Sequence, residues 1–381
     1  MDSRSIVHMD LDTFFVSVER LVNSSLNGKP VIIGGMSDRG VVASCSYEAR
    51  MFGVHSAMPM KVARILCPHA VYIRGDMEQY SKYSSVVTQV IAERAPVFEK
   101  ASIDEHYIDI TGMDKFFGSL KWTRELRQQI IKETGLPISF GLSVNKTVSK
   151  IATGEAKPYG EMNVPGEIVK PFLWPLSIKK MPMIGDKTFR SLRMMGIDTI
   201  GTLSLIPQEI MEKTFGKNGV EMWKRSNGID FTPVKPYVEQ KSMSTERTFD
   251  EDIIDVKLLQ TKLLGMVEKL CYDLRRDNKL TSCITVKIRY SNFDTHTQQR
   301  RIPYTSLDFQ LNEVAQELFL KVFNRRMRVR LIGVRFSHMV YGTQQLSLFD
   351  DTPKMMRLYY AIDKMKIRYG IKAIKRAIFL K

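Results

Sequence analysis

The feature that most narrows the fold is a period-2 alternation in the C-terminal half. In Ile284-Thr285-Val286-Lys287-Ile288-Arg289-Tyr290 the apolar residues fall on one face and Thr285, Lys287 and Arg289 on the other, because successive side chains of a strand point to opposite sides. Arg326-Met327-Arg328-Val329-Arg330-Leu331 repeats the device, and Arg300 and Arg301 lie in a third strand-like run. The pattern predicts a half-covered sheet whose open face is cationic and suited to a phosphate backbone. Three strands of one sign favour that contact over a merely solvated face. These strands sit in residues 242–340, which read strand, helix, strand, strand, helix, strand.

The chain upstream divides by pattern. Residues 1–165 alternate short β-rich runs (6–9, 31–33, 41–44, 70–73 and 138–144) with helical stretches such as 78–94 and 118–133, predicting an α/β or α+β domain. Residues 165–236 turn helical and are punctuated by Gly185, Gly196, Gly201, Gly216, Gly219 and Gly228, as short helices joined by tight turns require. Residues 233–241 carry two prolines without periodicity and read as a linker. At 381 residues the chain exceeds the size at which one core keeps growing, so several domains are expected.

Lys and Arg number 57 against 41 Asp and Glu, a net charge of +16, which selects polyanionic partners without choosing among them. The N-terminus runs from Met1 into Ile6-Val7-His8-Met9 with no apolar leader, and no apolar run is long enough to span a bilayer. A soluble, cytoplasmic protein without a membrane partner is expected. Cys45, Cys67, Cys271 and Cys283 lie far apart, so neither a disulfide framework nor a zinc site is predicted.

Two acidic segments carry the chemistry. Asp10 ends the apolar run of His8-Met9-Asp10-Leu11-Asp12, just before a helical stretch beginning near Phe14-Phe15. Asp104 and Glu105 stand side by side in the β-rich run Ser102-Ile103-Asp104-Glu105-His106-Tyr107, where paired like charges need neutralising unless they form a hairpin turn. Hard carboxylate oxygens with no Cys or His cluster suit Mg²⁺. If the fold brings the segments together, two metals about 4 Å apart can activate a 3′-hydroxyl and stabilise a leaving pyrophosphate. Such chemistry also needs cations and hydroxyl donors for a triphosphate; Arg50 and Lys157 are candidates for the first, Ser44 and Tyr47 for the second.

Met9-Asp10-Leu11-Asp12-Thr13-Phe14-Phe15-Val16-Ser17-Val18-Glu19, Tyr47-Glu48-Ala49-Arg50, Ser102-Ile103-Asp104-Glu105 and Ala156-Lys157-Pro158 resemble the motifs of Y-family DNA polymerases, of the DNA polymerase IV branch, in order and separation. The resemblance extends to Phe249 and to Leu331-Ile332-Gly333-Val334-Arg335-Phe336. It implies an α+β multidomain fold: a palm at 1–165 with a ferredoxin-like βαββαβ core and small fingers inserted at about 20–75, and a helical thumb at 166–235. A linker at 236–241, a little finger at 242–341 and a clamp-binding motif with a basic helical tail at 342–381 follow. It implies template-directed DNA synthesis by two-metal nucleotidyl transfer, low in fidelity and without proofreading, in damage tolerance and repair. Primer-template DNA and dNTPs are the partners, and a monomer is expected. Asp10, Asp104 and Glu105 would hold two Mg²⁺ with the Leu11 carbonyl. Ser44, Tyr47, Arg50 and Lys157 would hold the triphosphate, and Phe15 would act as a steric gate against a 2′-hydroxyl.

In the same reading Met181-Pro182-Met183-Ile184-Gly185-Asp186-Lys187-Thr188 resembles a helix-hairpin-helix whose turn, with Gly185 and Lys187, binds DNA phosphate. Met183 stands where a glycine is usual, and His106 replaces a small residue beside the catalytic pair. Lys287, Arg289, Arg300, Arg301, Arg326, Arg328 and Arg330 are the other expected DNA contacts. Gln345-Leu346-Ser347-Leu348-Phe349 resembles the peptide that binds a sliding clamp, with Gln345, Leu346, Leu348 and Phe349 as anchors, although the chain continues to Lys381. That tail lies on DNA or packs on the body. A nucleotide cyclase would explain the N-terminal half only, and a non-catalytic DNA-binding protein would leave the three carboxylates without a role.

Overall fold

The computed structural model describes residues 4–113, 118–236, 239–323, 326–342, 352–370, 373–374 and 376–379. It comprises two compact units, Met1–Val238 and Glu239–Lys381. Among the described residues no helix is long and apolar enough to cross a membrane.

The first unit is built on a sheet of order β5-β6-β1-β7-β8, formed by Ile6–Leu11 (β1), Val97–Lys100 (β5), Glu105–Asp109 (β6), Ile138–Ser143 (β7) and Glu161–Val164 (β8). Strand β1 is central and antiparallel to both β6 and β7. Its period-2 alternation sorts two faces. Val7, Met9 and Leu11 pack with Val87, Ile91 and Leu126 of the helices Met77–Ala92 and Ser119–Thr134. His8 and Asp10 take the opposite face, where Thr153 on helix Lys146–Ala156 and Lys157 just beyond it contact them. Strands β1, β5, β6 and β7 with helices Met77–Ala92 and Ser119–Thr134 make the ferredoxin-like βαββαβ core. A small sheet of order β3-β2-β4, from Val31–Gly34 (β2), Val42–Cys45 (β3) and Val71–Ile73 (β4), is inserted after the first helix, Phe14–Val22.

Residues 166–228 are helical, ending in Asp186–Met194, Ile200–Leu205, Gln208–Phe215 and Lys217–Ser226. Gly216 joins the last two helices alone, at φ +61°, and a Cβ on Gly219 would lie 2.0 Å from the Met211 carbonyl oxygen. Only glycine allows that turn and that approach without strain.

The second unit is a sheet of order β11-β10-β12-β9, from Ser242–Ile253 (β9), Lys279–Tyr290 (β10), Thr295–Thr305 (β11) and Val329–Tyr341 (β12). Helices Val256–Arg276 and Asp308–Val322 cover one face, packing on Ile284, Val286, Ile288, Ile332 and Val334. Pairing sets the open face. Arg289, Lys287 and Thr285 stand opposite Leu331, Gly333 and Arg335 on one side, and Arg301 pairs with Cys283 on the other. Four expected members fall elsewhere. Arg300 pairs with Ile284, which puts it on the helix side, where it bonds Glu317 at 2.6 Å. Consecutive strand residues cannot share a face, so Arg300 and Arg301 could never both lie on the open one. Arg326 and Arg328 precede β12, and Arg330 sits at a bulge over the ring of Phe293. The open face instead gains Arg335, while Glu246 bonds Lys287 at 2.8 Å.

The tail helix Thr352–Tyr369 packs on this unit. Arg275, whose side chain is 2% exposed, bonds Asp308 at 2.5 Å and Asp363 of the tail at 2.6 Å, and Tyr359 lies beneath its guanidinium. A buried guanidinium stripped of one partner is an uncompensated charge. Asp363→Ala is therefore expected to destabilise the second unit by about 3 kcal/mol or more, read as lost hydrogen-exchange protection along residues 256–276; unchanged protection would show the tail contact to be idle.

Candidate active site

The β1–β6 register places Asp10 opposite Glu105, and the Leu11 amide donates to the Asp104 carbonyl at 3.1 Å. Asp104 lies in the turn of the β5–β6 hairpin and Glu105 is the first residue of β6. The adjacent carboxylates are thus a hairpin turn and also neighbours of Asp10. Ser102 fixes the turn: its hydroxyl donates to Asp104 at 2.5 Å and accepts from the Glu105 amide at 3.0 Å.

Cations face this cluster. Lys157 donates to Asp10 at 2.5 Å, and Lys150 bonds Glu105. Burial pushes the Asp10 carboxyl up to about 6 against the pull of Lys157, with Glu105 and Asp104 adding to the rise. The His8 imidazole, and then Lys150, hold Glu105 down at about 2 despite its burial. His8 is itself pushed down to about 4 by burial; its Nδ1 contacts Thr153 Oγ1 at 2.8 Å and its Nε2 lies 4.0 Å from Glu105. Among the described residues no three Asp, Glu, His or Cys side chains close on a single point as a finished cation cage does. Each carboxylate is turned to its own partner: Asp10 to Lys157, Glu105 to Lys150, Asp104 to Ser102. The donor set still fits hard divalent cations, because the carboxylate oxygens are hard and Asp10 and Glu105 stand opposite each other in the β1–β6 register. A recess of about 370 Å³ opens on His8, Asp10, Glu105, Lys150 and Lys157.

Around the cluster, Thr13 turns the chain from β1 into the first helix at φ +42°, a costly conformation for a β-branched residue. Phe14 points into the core, and Phe15 stacks on Tyr80 with centroids 4.3 Å apart and planes 12° from parallel. The Tyr80 hydroxyl is tied to Glu19 at 2.5 Å, so the Phe15 ring is backed by a fixed ring. Ser44 is half-buried on β3, and the exposed Arg50 lays its guanidinium 4.9 Å from the ring centre of Tyr47. Burial and then Asp12 push the Tyr47 phenol well above its ordinary value, so it stays a proton donor.

Asp12, quoted in the first motif but given no role there, is the residue that sequence reading missed. It is almost wholly buried and bonded to Ser139, the Tyr159 amide and Tyr47. Nothing in the sequence separates a buried carboxylate from an exposed one beside a strand. Tyr80 gave no signal either. His106 is a core histidine, fully buried, bonded to Thr88 at 3.0 Å and pushed down to about 3 by burial.

In the hairpin, Gly185 caps helix Asp186–Met194 and Lys187 is exposed on its first turn. Met183 adopts φ +76°, the left-handed backbone that a glycine there would take freely, and its sulfur contacts the Arg225 guanidinium at 2.8 Å. Gln345, Leu346, Leu348 and Phe349 lie outside the described residues.

Comparison with known proteins places these features in context. Residues 9–154 match the impB/mucB/samB family, and residues 240–348 match that family's C-terminal domain. A protein of Dehalococcoides mccartyi named DNA polymerase IV is 36% identical over 98% of this chain and 97% of its own length. A DNA polymerase IV of Methanoculleus marisnigri is 38% identical over 91% of this chain and 98% of its own. A solved Y-family DNA polymerase chimera superimposes with a TM-score of 0.80 at 27% identity, over 89% of this chain and 100% of the chimera.

Proposed function

The chain belongs to the impB/mucB/samB family of Y-family DNA polymerases, in the DNA polymerase IV branch, and from that premise we propose how its residues divide the work. The enzyme is a DNA-directed DNA polymerase that carries out translesion synthesis in repair and damage tolerance, by metal-dependent nucleotidyl transfer on a DNA template. The observation that carries the finer reading is the meeting of Asp10, Asp104 and Glu105 across the β1–β6 pair, beside Lys157 and Tyr47.

In this reading the five-stranded sheet is the palm, the small sheet the fingers, residues 166–235 the thumb and residues 242–341 the little finger, with 236–241 a linker. Asp10, Asp104, Glu105 and the Leu11 carbonyl would hold two Mg²⁺, which when bound would supply activation of the primer 3′-hydroxyl and charge neutralisation at the phosphates. Asp10 and Glu105 stand opposite each other across the β1–β6 pair, and binding the ions would turn their side chains away from Lys157 and Lys150. Lys157, Arg50, Ser44 and Tyr47 receive the triphosphate: the lysine and arginine by charge, the Ser44 hydroxyl by donation, and Tyr47, whose proton goes to Asp12, by lining the site beside Arg50. Phe15, backed by Tyr80, stands against a 2′-hydroxyl, and a ring that cannot retreat excludes by shape.

DNA backbone contacts are assigned to Gly185 and Lys187 in the thumb hairpin and to Lys287, Arg289, Arg301 and Arg335 on the open sheet face. Residues Gln345, Leu346, Leu348 and Phe349 have the chemistry of a clamp-binding peptide, a glutamine with apolar anchors.

Three outcomes test these assignments. Asp104→Ala abolishes primer extension with Mg²⁺ and dNTPs while leaving DNA binding intact; template-directed products at the wild-type rate would remove the carboxylates from the reaction. Phe15→Ala lowers the preference for dNTP over rNTP by about two orders of magnitude, measured as the ratio of kcat/KM values, and an unchanged ratio would take the gate away from Phe15. Phe349→Ala weakens binding to the sliding clamp and spares extension in its absence; equal clamp affinity would reject the peptide.

A further inference from the structure

Asp12 stands two residues from Asp10, and the pair could be mistaken for two ligands of one metal. Their surroundings differ. The Asp10 side chain is 17% exposed and that of Asp12 only 2%. Oδ2 of Asp12 accepts from the Ser139 hydroxyl at 2.8 Å and from the Tyr159 amide at 2.8 Å. Oδ1 accepts from the Tyr47 hydroxyl at 3.4 Å, and the Lys157 ammonium lies 3.8 Å away. A buried carboxylate is tolerated only when its lone pairs are filled, and here the donors come from three separate parts of the unit: strand β7, the loop after Lys157, and the short helix Tyr47–Arg50 that follows strand β3. Ser139 extends the arrangement, since its own oxygen also accepts from the Gly160 amide at 3.1 Å.

We propose that Asp12 is a positioning residue for the incoming nucleotide: it touches neither metal nor triphosphate, but holds Tyr47, Lys157 and the 159–160 backbone in the arrangement that receives the phosphates. The proposal rests on the polymerase reading of the site. It explains why a lysine and a tyrosine more than a hundred residues apart in sequence converge on one side of the carboxylate cluster. Lys157 bonds Asp10 directly and is drawn from behind by Asp12, which limits how far the ammonium can swing. Tyr47, anchored at its hydroxyl, has its proton aimed at the palm rather than at solvent. Release of that anchor leaves both groups present but unaligned, a loss felt in nucleotide capture more than in the chemical step.

The test is steady-state primer extension with Asp12→Asn. The amide retains one oxygen for Ser139 and Tyr159, but it turns an N–H toward Tyr47 and offers no charge to Lys157. KM for dNTP is expected to rise about tenfold while kcat stays within about threefold, with the thermal midpoint close to that of the unsubstituted chain. Ser139→Ala, which removes a donor to Asp12 without touching Tyr47 or Lys157, is expected to shift KM in the same direction by a smaller factor. The double variant Asp12→Asn/Tyr47→Phe should fall short of the product of the single effects, because both remove one contact. Binding of dNTP to a complex with dideoxy-terminated primer gives the same weakening without turnover.

An unchanged KM and nucleotide affinity in Asp12→Asn, a loss confined to kcat, or fully multiplicative effects in the double variant would each overturn the proposal. If Asp12→Asn does not fold, Ser139→Ala decides: a lowered midpoint with unaltered KM makes the cluster structural only. Failure of the unsubstituted chain to extend any primer would bring down the polymerase reading itself, and this proposal with it; extension with an unaltered Asp12→Asn KM would bring down this proposal alone.

Discussion

Five paired residues join β1 to β6, from Ile6 opposite Asp109 to Asp10 opposite Glu105, and the chemistry of the first unit hangs on that register. A slip of one position would send His8 and Asp10 to the face filled by Val87, Ile91 and Leu126, because a strand's side chains change sides at every residue. Two things pin it. The apolar set Val7, Met9 and Leu11 can be buried on one side only, and the Ser102 hydroxyl ties both amides of the turn that delivers Asp104 and Glu105. Hydrophobic sorting therefore sets the position of the carboxylates, and the carboxylates contribute little to their own placement. Their mutual repulsion is carried by Lys150 and Lys157, which reach in from the helix Lys146–Ala156 and its end.

Much of this was legible in the sequence because it rests on patterns a chain must display. An apolar run closing on Asp10, an adjacent acidic pair, and four motifs in order pointed to the palm and to its family. The alternation in 284–290 gave the open face of the second sheet, since burial of one side of a half-covered sheet is written at every second residue. What was not legible depends on burial of polar groups. Asp12 and Asp10 look alike in sequence; only the fold shows one closed off behind Ser139 and the other facing the recess. Tyr80 reads as one more aromatic on a helix until Phe15 is found stacked on it. Arg300 falls on the helix side, as the alternation rule requires once Arg301 faces outward, and Arg335 joins the open face from within the run Leu331–Phe336. Length and charge could not decide whether the tail covers DNA or the body, because a basic helix with apolar residues on one side suits either.

The two units solve the problem of buried charge in different ways. Near Asp10 the lysines are partly exposed and can be redirected, as a site that must accept ligands requires. Around Arg275 the charges are sealed, and burial raises Asp308 even as the guanidinium draws it down. The first arrangement is poised for exchange and the second for permanence.

Permanence at Arg275 changes what the C-terminus is. Asp363 comes from a helix that follows the last strand of the second sheet, so the helix Thr352–Tyr369 is a structural member of that unit. A chain cut back to its last strand would keep every element of the sheet and yet leave a guanidinium facing the vacated place of its partner. Shortening the protein to isolate a terminal peptide would therefore remove two things at once, the peptide and a wall of the domain that carries it.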